Sequence, residues 1–351
     1  AFDYEACKHE YWNPEEFSLL WGTPVWDQAS AAQRVVLNQL YWVAYYSQII
    51  SAEIATIYFN QTSAAGLFAQ DDFRQVCDML DLETSQERAH ISAFRTVSDQ
   101  VEDALFGERV FSYPMRGPFD ETMIFQDTDW FRRRWKKLQL MAFGLLSAGN
   151  TFLACQYFTV RGLRTLNGKM VQQRLSAFYR KLPDPAAAPL PAAISHFHFM
   201  DESFHFNSST IVGHEVVRCL PPPTRFEAFV ANLGLRGCQV DHSHFSVAVH
   251  GIFWYDPALL GKIHRVLTSP AFGMGPQEAT AMLRACFCEE SEGLHAARAR
   301  HLEARESYRA YLEKVDYAWA VNRDMALMTR AGVPEYLAAN RRALDRLAGS
   351  A

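Results

Sequence analysis

Residues 83–90 read ETSQERAH and residues 198–205 read HFMDESFH, and these two stretches decide the fold. Each ends in a Glu-x-x-His motif, and residues three or four apart lie on one face of an α-helix. The second stretch sits within HFHFMDESFHF, which is too aromatic for a solvated helix face. A carboxylate that faces an apolar interior is costly to bury unless it is paired or binds a metal ion. Both stretches therefore predict helices that aim ligand side chains into a shared core.

The spacing of the ligand-type residues indicates a metal site. Glu87 and His90 lie on one face of the first helix, and His198, Glu202 and His205 lie on one face of the other. Carboxylates gathered in a core repel each other strongly unless a cation lies between them. A mixed set of oxygen and nitrogen ligands suits iron or manganese better than structural zinc.

An earlier helix adds a further carboxylate. Glu53 lies in SQIISAEIATIYF and shares its helix face with Tyr46, Ile50 and Ile57, so it is predicted to point inward. Glu83 lies one turn before Glu87. We assign Glu83 to the catalytic centre, either hydrogen-bonded to a ligand histidine or as an additional ligand.

The long-range pattern predicts an all-α protein built on a four-helix bundle. Four long segments with apolar faces of helical period are predicted helices: Ser30–Asn60, Asp71–Leu105, Thr128–Leu166 and Pro191–Arg218. We expect residues 1–26 to form an N-terminal arm and 27–220 the bundle. Residues 221–351 are expected to be additional helices packed on it.

The composition excludes several other classes. The 351 residues are 49% hydrophobic and 21% charged, as in globular proteins, and the net charge of −5 gives no basic surface for nucleic acid. The seven scattered cysteines suggest reduced thiols, and the first residues lack a signal-peptide pattern, so we expect a cytoplasmic protein. The apolar segment 138–160 contains Gln139, Asn150 and Gln156, so we expect it to be buried in protein rather than in a membrane.

Dinuclear carboxylate proteins place Glu, Glu-x-x-His, Glu and Glu-x-x-His on their four bundle helices. Here the third helix has no acidic residue between Leu138 and Val160. Gln156 lies on the predicted inward stripe, so we place it at the missing ligand position, with Asn150 as the alternative. A neutral amide would bind weakly or leave a coordination position open.

The order Glu, Glu-x-x-His, His-x-x-x-Glu-x-x-His resembles the p-aminobenzoate N-oxygenase family of ferritin-like diiron oxygenases, and the additional His198 is the specific point of similarity. The resemblance implies these roles at the centre: bridging for Glu87 and Glu202, ligation of one ion by Glu53 and His90, and ligation of the other by His198 and His205. It also implies two iron ions, with an iron–manganese pair as the alternative, and O2 as co-substrate.

We therefore expect an O2-activating dinuclear oxygenase that N-oxygenates or hydroxylates a small or carrier-bound substrate with electrons from an external donor. The homodimer is the expected assembly, and neither nucleic acid nor a membrane is an expected partner. The alternatives are a dimetal C–H halogenase with an open coordination site near Gln156, a non-catalytic ferritin-like metal-binding protein, and a metal-free helical interaction protein.

Overall fold

The structure, a computed structural model, describes residues 2–111, 130–242, 257–330 and 332–350. Their regular secondary structure consists of α-helices, short 3₁₀ turns and one π-helical turn, with no strand among the described residues, which confirms the all-α class. The helices are α1 (Tyr4–Cys7), α2 (Pro24–Gln28), α3 (Ala31–Leu67), α4 (Arg74–Phe106), α5 (Trp130–Ala148), α6 (Thr151–Arg180), α7 (Leu190–Thr210), α8 (Arg225–Asp241), α9 (Pro257–Leu267), α10 (Pro276–Cys288), α11 (Glu292–Leu312), α12 (Ala320–Arg323) and α13 (Val333–Ser350).

Four long helices build the bundle, as predicted. α3 packs along α4, α6 packs along α7, and α3 also contacts α6, so the two pairs enclose a common interior. Local sequence signals set the helix ends. Ser30 and Gln33 form a reciprocal capping box at the start of α3, and Gly107 ends α4 with a left-handed backbone at φ 67°.

The boundaries predicted for the third helix are wrong. The segment predicted as Thr128–Leu166 contains two helices, α5 and α6, which meet at Gly149 and Asn150. Asn150 has an extended backbone, and its side chain accepts a hydrogen bond from the Leu153 amide, so it caps α6 instead of continuing α5. α6 then runs through Gly168 to Arg180, whereas the helix predicted from the sequence ends at Leu166. Residues 128 and 129 lie outside the described part of the chain.

The fourth bundle helix ends irregularly. α7 continues as a single π-helical turn, Ile211–Glu215, and then as a 3₁₀ turn, Val216–Cys219. π-Helical turns inside helices are frequent near functional sites. The π-helical turn of this protein begins at Ile211, about two turns after His205, which is the last candidate ligand on α7.

Elements outside the bundle pack against it. The N-terminal arm places Trp12 and Phe17 in the same apolar cluster as α3 and α10, and both side chains are fully buried. α10 and α11 are separate helices, divided at residues 289–291, where the Ser291 side chain caps α11. Across the described ranges, no helix is long and apolar enough to cross a bilayer.

Candidate metal centre

Six predicted ligand side chains meet in the interior of the bundle, contributed by α3, α4 and α7. Their relative exposures are small: Glu53 4%, Glu87 3%, His90 8%, His198 2%, Glu202 9% and His205 1%. Helical spacing explains the arrangement, because Glu87 and His90 are one turn apart on α4 and the ligands of α7 recur every three or four residues.

The six side chains form two adjoining clusters that share one residue. Glu53, His90, His198 and Glu202 form the first, and Glu87, Glu202 and His205 form the second. We name them the four-residue cluster and the three-residue cluster. Within each, the potential ligand atoms lie within 4.8 Å of one another.

The distances between donor atoms fit a metal ion. Two atoms that each lie about 2.1 Å from one ion and subtend about 100° are about 3.2 Å apart. His198 Nε2 lies 3.2 Å from Glu53 Oε1 and 3.3 Å from Glu202 Oε1, and His205 Nδ1 lies 3.2 Å from Glu202 Oε1. Neither oxygen of Glu53 and neither ring nitrogen of His198 makes a hydrogen bond of good geometry, although all four atoms are buried. Buried polar atoms normally have partners, and a metal ion would be the partner here.

Two carboxylates reach both clusters. Glu87 places Oε1 3.4 Å from His205 Nδ1 and Oε2 3.4 Å from His90 Nδ1. Glu202 Oε1 approaches both His198 and His205. The bridging roles that the resemblance implied for Glu87 and Glu202 stay predictions.

The position of His198 corrects the implied grouping. The resemblance paired His198 with His205, whereas the structure groups it with Glu53 and His90. His198 lies seven residues before His205, or about 10 Å along the helix axis, so the two imidazoles fall at different levels of the bundle. The three-residue cluster therefore has a single histidine.

The protonation of the metal-free centre follows from its buried carboxylates. Burial disfavours the charged form of His90, but the nearby carboxylates of Glu53 and Glu87 outweigh it and raise the pKa of His90 to about 11. Burial likewise opposes charge on His198, and Glu202 and Glu53 raise its pKa to about 8. Burial raises the pKa of Glu87. Protons thus supply the positive charge that a metal ion would bring, and metal binding must displace them.

An outer pair of side chains orients two of the histidines. His90 Nε2 lies 3.0 Å from Asp201 Oδ2, and His205 Nε2 lies 3.1 Å from Gln86 Oε1. The Gln86 amide in turn donates to Asp201 at 3.4 Å. Each contact engages Nε2, the nitrogen facing away from the cluster. When the ring is neutral, as a metal ligand must be, this contact keeps the proton on Nε2 and leaves Nδ1 unprotonated on the cluster side. Neither residue was predicted from the sequence to belong to the centre, although each directly precedes a candidate ligand glutamate.

Asp201→Asn should weaken metal binding at the four-residue cluster about 10- to 100-fold, the usual cost of losing a partner of a ligand histidine. The three-residue cluster should change less, because its histidine bonds to Gln86. Equilibrium competition with a chromophoric chelator measures both affinities. Asp78→Asn, on the exposed side of α4, is the matched control. Equal affinities in Asp201→Asn and the parent protein would contradict this role.

Glu83 lies beside the clusters but outside both. Its carboxylate forms a buried ion pair with the Arg161 guanidinium of α6 and accepts a hydrogen bond from Ser208 Oγ at 2.6 Å. Arg161 Nη1 also donates to Asn60 Oδ1 at 3.4 Å. Both carboxylate oxygens of Glu83 are therefore engaged, which fits a supporting role better than that of an additional ligand. Sequence analysis missed Arg161.

Gln156 does not occupy the predicted ligand position. It is fully buried, but its amide donates to the Ala231 carbonyl at 3.3 Å and lies against Gly234, so it faces α8. The neighbouring Tyr157 faces the bundle interior and donates to Asn60. A shift of one residue rotates a side chain by about 100°, which accounts for the error. The alternative, Asn150, is the cap of α6.

An all-α bundle around two adjoining carboxylate–histidine clusters defines a ferritin-like protein with a candidate dimetal centre. The chain belongs to the CylC-like acyl halogenase family, whose family model, described as "Acyl halogenase CylC-like", matches residues 1–348. It therefore belongs to a family of enzymes. No curated protein and no solved structure matches the chain. The resemblance to p-aminobenzoate N-oxygenases is not confirmed.

Proposed function

We propose that this protein is an O2-dependent dimetal halogenase that replaces a hydrogen on the carbon chain of an acyl substrate with halogen. The observation that carries the proposal is the three-residue cluster, which has three ligand side chains among the described residues. The family description supports the acyl substrate and the halogenation.

Iron is the metal that we propose for both positions, since imidazole and carboxylate ligands suit it and O2 activation needs a redox-active ion. Two iron ions bound here would supply the oxidising power that breaks an unactivated C–H bond. Glu53, His90 and His198 would hold one ion, His205 would hold the other, and Glu87 and Glu202 would contact both.

Charge balance favours a halide as an additional occupant. Two divalent ions carry more charge than the carboxylates of Glu53, Glu87 and Glu202 can neutralise, which leaves about one positive unit in a buried site. Asp201 lies farther out and its side chain is 40% exposed, so solvent screens it. A monovalent anion would neutralise the remaining positive charge. A fourth carboxylate ligand would neutralise that charge itself, so that no additional anion would be needed.

The aromatic wall beside the centre limits water. Phe94 and Tyr46 lie against His198, with ring centroids at 5.0 Å and 5.7 Å, and Trp42 packs on Tyr46 at 4.4 Å. All three aromatic side chains are essentially buried. A dry wall strengthens the interactions among charges in the centre and restricts the entry of water that would compete with halide.

The proposed reaction consumes an acyl substrate, halide, protons and O2, and it releases halogenated substrate and water. O2 accepts two electrons from the C–H bond and two from an external donor, so a reductant is a required partner. We propose that the acyl chain arrives as a thioester, tethered to a carrier protein or to a small carrier.

The test is incubation of iron-loaded protein with O2, a reductant and a set of acyl thioesters, in chloride, in bromide and in halide-depleted buffer. Mass spectrometry should detect products whose isotope pattern follows the halide supplied and which disappear on halide depletion. A hydroxylated product that forms equally in all three buffers would identify an oxygenase instead. Absence of O2 consumption with both metal positions filled would favour the non-catalytic alternative.

A further inference from the structure

We propose that Gly168 keeps a space open at the three-residue cluster and that a halide ion occupies this space. The inference rests on the proposed function, since it assigns the halide to a position in the same centre. α6 is the bundle helix that would supply a fourth carboxylate, and its sequence contains neither Asp nor Glu.

The register between α6 and α7 places Gly168 at the level of the ligands. Thr159 Oγ1 donates to the Gly213 carbonyl at 3.3 Å, and Ser176 Oγ lies 2.8 Å from His196 Nδ1. These contacts are equally spaced along the two antiparallel helices. Residue 168 therefore lies opposite residue 204, between the cluster ligands Glu202 and His205.

The helical phase directs Gly168 toward the ligand-bearing helices, and the residue itself is half-buried. Arg161 precedes Gly168 by seven residues. This spacing places the two residues on nearly the same face of the helix, within about 20° of each other. The Arg161 side chain crosses the bundle to Glu83 on α4, so that face of α6 is turned toward the ligand-bearing helices. Gly168 is the residue of this face that falls at the level of the three-residue cluster.

Packing does not require a glycine at this position. A Cβ atom built on Gly168 would meet a single group within 4 Å, the Gln172 side-chain amide nitrogen, at an ordinary 3.5 Å. On the same helix, a Cβ on Gly162 would lie 2.0 Å from the Tyr311 hydroxyl, so close packing explains that glycine. Gly168 has no left-handed backbone, and glycine is less favourable than alanine within a helix. Neither close packing nor backbone conformation therefore accounts for this glycine.

A polar side chain lines the edge of this space. Gln172 is 2% exposed, its amide nitrogen points at the position of the missing Cβ, and its carbonyl oxygen has no hydrogen-bond partner. An amide N–H can donate to a halide, and the metal ions would supply the positive charge. This space is thus suited to a small monovalent anion.

The experiment compares bromide binding to the iron-loaded parent protein, Gly168→Ala and Gly168→Glu, by calorimetric titration and by X-ray absorption at the bromine edge. The parent should bind bromide. Gly168→Ala should weaken binding at least about tenfold, and Gly168→Glu should abolish it while tightening the ion at the three-residue cluster, because the new carboxylate takes the position of the halide. Gly237→Glu, at an α8 glycine with open space around it, is the control and should bind bromide like the parent.

Unchanged bromide affinity in Gly168→Ala and Gly168→Glu would overturn the inference. If Gly168→Glu fails to fold, the bromide affinity of Gly168→Ala decides the test, since alanine is more favourable than glycine within a helix. If Gly168→Glu still halogenates an acyl substrate, this site is wrong and the proposed function stands. If bromide binding depends on Gly168 but no acyl substrate is halogenated, the site stands and the proposed function fails.

Discussion

Glu202→Gln should remove both metal ions. Glu202 belongs to both clusters, and its Oε1 lies 3.3 Å from His198 and 3.2 Å from His205. An amide in its place lowers the ligand charge at both positions. We expect the metal content to fall from about two ions per chain to near zero, with affinity lowered more than about 100-fold, because Glu202 is a shared ligand rather than an outer partner. Mass spectrometry of metals in the dialysed protein gives the stoichiometry.

Two controls make this result specific. Glu53→Gln should release chiefly the ion of the four-residue cluster, since Glu53 belongs to that cluster alone. Glu215→Gln changes an exposed glutamate that pairs with Arg218, and it should keep both ions. A Glu202→Gln protein that retains both ions at parental affinity would contradict the shared-ligand assignment.

Arg161→Met should destabilise the protein by about 3–5 kcal/mol, because it leaves the Glu83 carboxylate buried without its cation. Arg161 is 4% exposed and Glu83 is fully buried, so solvent cannot replace the lost partner. Urea unfolding of the metal-free proteins measures the difference in the free energy of unfolding without a contribution from metal binding.

The double variant Glu83→Leu/Arg161→Met should recover most of that loss, since an apolar pair of similar volume removes the unpaired charge. Arg109→Met is the surface control. Its guanidinium lies 2.9 Å from the exposed Asp103, and its loss should cost less than about 1 kcal/mol. A similar small effect for Arg161→Met would show that the buried pair does not hold the bundle together.

The fold, and the meeting of six candidate ligand side chains in its interior, could be predicted because both depend on local spacing. Glu-x-x-His on a helix fixes the relative direction of two side chains, and repeated apolar faces fix the bundle. The break before α6 was missed because a long apolar run indicates one continuous helix, whereas the Asn150 side chain stabilises a new start. Because the break was missed, the inward face of this segment was counted along a single continuous helix. The residue assigned to that face, Gln156, was therefore wrong.

The supporting residues depend on contacts between helices, which spacing does not reveal. Asp201 projects about 100° away from Glu202 on α7 and is understood only when His90 of α4 lies beside it. Arg161 did carry a signal. This arginine follows directly on the apolar segment 138–160, and a buried cation requires an anion such as Glu83.

The most direct test of the dimetal centre is anomalous X-ray diffraction from crystals of the iron-loaded protein, with data collected on both sides of the iron absorption edge. We expect two anomalous peaks per chain. One lies among Glu53, His90, His198 and Glu202, and the other lies among Glu87, Glu202 and His205. A single peak with the three-residue cluster empty, or iron bound elsewhere with both clusters empty, would contradict it.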